Sequence, residues 1–135
     1  MKWNIVSFPV KFQMRELKTK NPIIVLTFQF SIKIIGYVET LEKSRKYIIA
    51  RQLLKSGTSI GANVWEAQHA ESRADFIHKI KTAAKEAEET IYWLMLCNDV
   101  NGYNKDCESL IENCKEIRRV LAKIIFTSKQ NVKQK

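Results

Sequence analysis

The chain has 135 residues, 45% of them hydrophobic, and a formal net charge of +9. That length suits one domain with a hydrophobic core of its own, without disulfides or a structural metal to staple it. Four Gly and two Pro are too few for a turn-rich β-sandwich or a low-complexity disordered chain, and long stretches without breakers favour helices.

Residues 1–20 show no sustained period and read as an N-terminal arm or leader. The short apolar patch from Ile5 to Val10 lacks the apolar region and small-residue cleavage site of a secretory signal, and Met14 offers an alternative start. Asn21-Pro22 then opens a helix, since Asn caps and Pro suits the first helical position. This first helix runs from about Pro22 to Leu41. It carries one apolar stripe through Ile24, Phe28, Ile35 and Val38, and a second through Ile23, Phe30, Ile34, Tyr37 and Leu41. Two stripes mark a buried bundle helix. The apolar stretch Pro22–Val38 contains Gln29 and Lys33 and sits at the lower edge of membrane-spanning length, so no membrane association is expected.

Ser44 is placed to cap a second helix, Arg45 to Gln68, whose seam is Ala50, Leu53, Gly57, Ile60, Val64 and Ala67. Two glycines four apart, Gly57 and Gly61, lower helix propensity by about 2 kcal/mol relative to Ala. Close approach of a neighbouring backbone is the simplest compensation, a kink the next. A phosphate loop ranks last, because no strand precedes the motif and the Lys-Ser/Thr ending is missing. Ser72 and Asp75 resemble a capping box for a third helix, Arg73 to Asn98. Its seam is Phe76, Ile80, Ala83, Ala87, Thr90, Leu94 and Cys97. Beside the seam lies a surplus apolar row, Ile77, Ala84 and Ile91, expected to be an oligomer interface. After the Asn101-Gly102 break a fourth helix, Lys105 to Ser128, uses Leu110, Cys114, Ile117, Leu121 and Ile124; residues 129–135 read as a polar tail. Residues 21–128 therefore specify an all-α, antiparallel up-and-down four-helix bundle.

Catalytic chemistry is nearly absent. Glu66-x-x-His69 and Asp75-x-x-His78 match a di-iron spacing, but both flank a turn at the bundle's end, and the inward Glu residues of such a centre are missing. No serine-hydrolase elbow, zinc-protease motif, P-loop or dinucleotide fingerprint appears. Cys97, Cys107 and Cys114 form no zinc-type pair and read as buried, reduced thiols of a cytoplasmic protein. No enzyme activity, metal or cofactor is expected.

Charge is uneven: +8 in residues 1–55, −3 in residues 56–99 and +4 in residues 100–135. Such a field attracts polyanions, nucleic acid above all. The candidate phosphate contacts are Lys33, Lys43, Arg45, Lys46, Arg51 and Lys55 on the first two helices, and Lys115, Arg118, Arg119 and Lys123 on the fourth.

The run Gln52-Leu53-Leu54-Lys55-Ser56-Gly57-Thr58-Ser59-Ile60-Gly61-Ala62-Asn63, with Glu66-Ala67, Ala70-Glu71-Ser72, Ala74-Asp75-Phe76-Ile77 and Lys85-Glu86-Ala87-x-Glu89-Thr90, resembles the four helix bundle proteins encoded in intervening sequences of bacterial 23S rRNA genes. The likeness covers about residues 24–127 and extends to the accessory variability determinant of diversity-generating retroelements. It implies a four-helix bundle assembled as a homo-pentamer, with RNA or DNA and a reverse transcriptase as partners. Trp65 stands where the family often has a basic residue, and Ile91 and Met95 lie near positions that are often polar or basic there. Both departures weaken the nucleic-acid side of the likeness and enlarge the apolar surface.

Overall fold

A computed structural model describes residue 17, residues 19–103 and residues 107–133, with side chains through residue 130. Four helices follow one another: α1 (Pro22–Lys43), α2 (Tyr47–Ala67), α3 (Arg73–Asp99) and α4 (Glu108–Lys133). Each packs on its neighbour in sequence, and α4 closes back on α1, so α2 and α4 stand at opposite corners. This is the antiparallel four-helix bundle that the periodicity specifies.

Local sequence sets the starts. The Ile23 amide donates to Asn21 Oδ1 at 3.2 Å, and Pro22 occupies the first turn, where its missing N–H has no intrahelical partner to lose. At α3 the Asp75 amide donates to Ser72 Oγ at 3.0 Å. The Asp75 carboxylate, one methylene shorter than Glu, reaches back to the Glu71 amide at 3.2 Å instead of to Ser72.

The expected junction between the first two helices is corrected. Ser44 terminates α1 rather than capping α2, which begins two residues later than predicted, at Tyr47, after an Lys46 without a side-chain cap. The Lys46 amide donates to Leu41 O and the Arg45 amide to Glu42 O, both at 2.9 Å, a double closure that needs a left-handed residue between them. Arg45 supplies it at φ +61. A side chain there costs about 1–2 kcal/mol, and Gly returns part of that as unfolded-state entropy. Arg45→Gly is therefore expected to raise stability by roughly 0.5–1 kcal/mol, read as a higher urea midpoint at unchanged slope. The expected polar tail is also corrected: α4 continues through Lys133, because residues 129–133 contain neither Gly nor Pro to stop it. The arm expected over residues 1–20 falls largely outside the described residues.

The seams form one core. Phe30, Ile34, Leu53, Ile60, Val64, Leu94, Ile117 and Leu121 are fully buried, each contributing about 1.5–3 kcal/mol by leaving water. Helix α1 is long and apolar enough to cross a membrane, with a mean hydropathy of 1.4, yet half of that window is buried inside the bundle. Its second stripe faces the core; on the first, Ile24 and Val38 are buried while Phe28 and Ile35 reach the surface.

Gly57 and Gly61 sit where α1 and α2 approach closely. A Cβ at Gly57 would lie 2.8 Å from Ile34 Cγ2, and one at Gly61 would lie 3.2 Å from the Thr27 carbonyl oxygen. Small residues oppose Gly61 on α1: Thr27, whose hydroxyl donates to Ile23 O at 2.8 Å, and Ser31, which donates to Thr27 O at 3.1 Å. One polar contact crosses the core between α2 and α3. There the buried Thr90 Oγ1 and Ser56 Oγ lie 3.0 Å apart.

The surplus row on α3 is not an exposed interface. Ile91 is only 6% exposed, and Ile77 and Ala84 are half-buried. Helix α3 packs against both α2 and α4 and so buries two sides. The row continues through Glu88, which meets Arg118 of α4; α4 therefore covers it.

Candidate nucleic-acid interface

The ten basic candidates do not converge on one surface. Lys43, Arg45, Lys46, Arg51 and Lys55 run from the α1–α2 turn into the first half of α2, and Glu42 is the only acidic residue between positions 41 and 55. Lys43, Arg45, Arg51 and Lys55 are exposed; Lys55 lies in the field of Glu86 on α3, and the other three form no ion pair with a described carboxylate. Arg51 and Lys55 are four apart on one helix, so their charges meet across one turn with mutual repulsion. Lys46 lies over the Tyr103 ring, 5.1 Å from its centroid, which ties the turn to the α3–α4 loop.

The α4 candidates stand apart, at the corner opposite α2. Arg118 is engaged by Glu88, and Lys115 lies 3.8 Å from Glu112 on its own helix. Arg119 and Lys123 are exposed. Lys33 is half-buried on α1, and burial lowers its pKa. It stands apart from the exposed residues of the turn.

A second basic cluster lies where residues 56–99 have a net negative charge, which is why sequence reasoning passed over it. Lys81 of α3 meets Lys129 of α4. The close approach of Lys129 as a like charge holds the Lys81 ammonium below its ordinary range, with burial and Lys85 contributing less. The readable signal was the like-charged pair Lys81 and Lys85, one helical turn apart.

The carboxylate-x-x-His pairs are directed elsewhere. Glu66 accepts from Lys79 Nζ at 3.2 Å, Asp75 serves the α3 cap, and His69 and His78 are exposed. Among the described residues, no three His, Cys, Asp or Glu side chains gather as a metal site would require. Cys97, Cys107 and Cys114 are buried and form no disulfide. Burial pushes the Cys114 thiol up to about 12, with Arg118 opposing and Glu88 adding to the shift. The unfolded thiol ionises near 9.0, so this contribution to stability is complete below that pH and is lost as pH rises toward 12. The folded protein is expected to react slowly with a thiol reagent at neutral pH and to yield three thiols in denaturant. Rapid labelling of the native protein at any of the three would contradict this burial.

The fold and sequence also agree with known proteins. No curated protein matches the chain. Among solved structures it is similar to a protein of unknown function from the S23 ribosomal protein family of Bacteroides thetaiotaomicron. The two share 39% identity and a TM-score of 0.73 over 76% of this chain and 97% of that one. The family model described as 23S rRNA-intervening sequence protein matches residues 19–123. With its four-helix bundle and paired glycines in place, the chain belongs to the 23S rRNA-intervening sequence protein family.

Proposed function

We propose that this protein is a non-enzymatic, homo-oligomeric bundle that binds RNA or DNA through phosphates, without sequence preference. The observation that carries the proposal is the exposed basic run Lys43, Arg45, Arg51 and Lys55, which extends from the α1–α2 turn into the first half of α2. Four such cations along one stretch of surface form a field that nucleic acid relieves by releasing its counterions. Phosphate contact is favoured over base recognition, because cations outnumber the one large exposed aromatic of the turn, Tyr47. Titration of single-stranded RNA and duplex DNA at several salt concentrations tests it. Binding to both, weakening steeply with salt, is the expected result. Tight binding indifferent to salt contradicts the phosphate mechanism, and no binding at low salt removes the proposal.

Self-association is part of the same proposal, now resting on side chains other than Ile77, Ala84 and Ile91. Tyr92 (56%), Met95 (51%) and Phe126 (63%) remain exposed on α3 and α4, more large apolar surface than a solitary bundle needs. Light scattering at micromolar concentration is expected to give a multiple of 15.7 kDa, with a pentamer implied by the family likeness. A monomer mass overturns it. If self-association holds and nucleic acid does not bind, the same apolar residues favour a purely structural or protein-binding oligomer, a reverse transcriptase being one partner class.

A further inference from the structure

The outer face between α1 and α2 carries a groove of about 450 Å³, lined by Leu17, Ile24, Phe28, Gly61, Ala62 and Trp65. Trp65 is 51% exposed, an expensive position for an indole left in water. The antiparallel register that sets Thr27 against Gly61 and Ile34 against Gly57 carries the same face on toward Ile35 and Leu54. Those two are 37% and 38% exposed. The absence of a side chain at Gly61 deepens the groove.

We infer that this groove is the docking site of the chain's own leader, residues 6–14, lying antiparallel to α1. Three observations support the assignment. Leu17 already packs against the core and lines the groove at its Ile24–Trp65 end, so the preceding chain enters the groove there. The leader also carries a run too short to mark a secondary-structure element by itself. Val6, Phe8, Val10, Phe12 and Met14 alternate with Ser7, Pro9, Lys11 and Gln13, which gives an extended strip one apolar edge. Length agrees as well. Nine extended residues span about 30 Å, enough to run the whole groove beside a helix that rises about 1.5 Å per residue. A tethered segment has an effective concentration in the millimolar range, so the leader of the same chain outcompetes that of a second copy at micromolar protein. Nothing in this assignment depends on nucleic-acid binding.

Limited trypsinolysis of the full-length chain after Lys11 tests it. Cleavage is expected to be about tenfold or more slower in the wild type than in Phe8→Asp/Phe12→Asp, because proteolysis follows the population of the open form. Trp65→Ser, which alters the groove and leaves the leader intact, is expected to accelerate the same cut while the helical circular dichroism is unchanged. Protection should be constant over about a hundredfold range of protein concentration, as an intramolecular contact requires. Equal cleavage in all three proteins overturns the assignment. Protection that grows with concentration also overturns it, by giving the groove to a second copy's leader. An intact mass showing that the cellular product starts at Met14 would do the same.

Discussion

Gly57→Leu is expected to destabilise the protein by about 3 kcal/mol, at the upper end of overpacking penalties. The first atom added, Cβ, already falls 2.8 and 2.9 Å from two carbons of Ile34. Ile34 is fully buried and β-branched, so its χ1 has one favoured setting in a helix and no empty neighbour to turn into. The gain in helix propensity over Gly, about 0.8–1 kcal/mol, does not offset the separation of α1 from α2. Gly61→Leu is expected to cost less, about 1–3 kcal/mol. Its Cβ meets the Thr27 backbone oxygen at the milder distance of 3.2 Å, and the longer side chain can leave toward the open groove. Ile34→Ala combined with Gly57→Leu should recover part of the loss, giving a favourable coupling in a double-mutant cycle. Thermal or urea unfolding measures the wild type, the three single variants (Ile34→Ala among them) and the double variant. A Gly57→Leu variant as stable as wild type would mean that the glycines are not packing residues.

Reversing two charges in the first half of α2 has the largest expected effect on binding. With about four phosphates neutralised, quadrupling the salt from 50 to 200 mM weakens duplex binding about 150-fold. Arg51→Glu/Lys55→Glu removes about two of those contacts, and the same change in salt then weakens binding about 12-fold. Both residues are exposed on α2, and Lys55 gives up only a surface attraction to Glu86, so the bundle should unfold only slightly below the wild-type midpoint. Lys115→Glu is the comparison, since Lys115 is half-buried beside Glu112 at the opposite corner. An unchanged salt slope in the double variant, or an equal loss in Lys115→Glu, would move the contact surface away from this basic run.

The fold was legible because its signals are local. Asn21-Pro22, Ser72 with Asp75, and the three-four spacing of the seams each act within one or two turns, and all reappear as caps or buried rows. The turn at Arg45 was not legible. Nothing in Ser44-Arg45-Lys46 advertises a left-handed residue where Gly is usual, and Ser44 was equally suited to opening α2. The row Ile77, Ala84 and Ile91 was misassigned for a different reason. Periodicity shows that a second face is apolar but not whether a neighbouring helix of the same chain covers it, and here α4 does. Charge summed along sequence blocks failed at Lys81 and Lys129. These lie 48 positions apart and meet only because α3 and α4 run antiparallel.

The buried contact between Ser56 and Thr90 has a consequence for which bundle the chain can form. Seams built largely from Ala, Leu and Ile are permissive toward sliding, since one apolar heptad resembles the next. Displacing α3 by seven residues in either direction would bring Ala83 or Cys97 opposite Ser56. A strong hydroxyl partner would then be replaced by a methyl group or a weakly hydrogen-bonding thiol. Each hydroxyl also bonds a carbonyl of its own helix, Ser56 that of Leu53 and Thr90 that of Glu86, so a slipped alignment forfeits the interhelical hydrogen bond, worth about 0.5–1.5 kcal/mol, and keeps the helical ones. This polar pair thus acts as a vernier mark, adding little cohesion but favouring one alignment of α2 and α3 among several that hydrophobicity alone would tolerate.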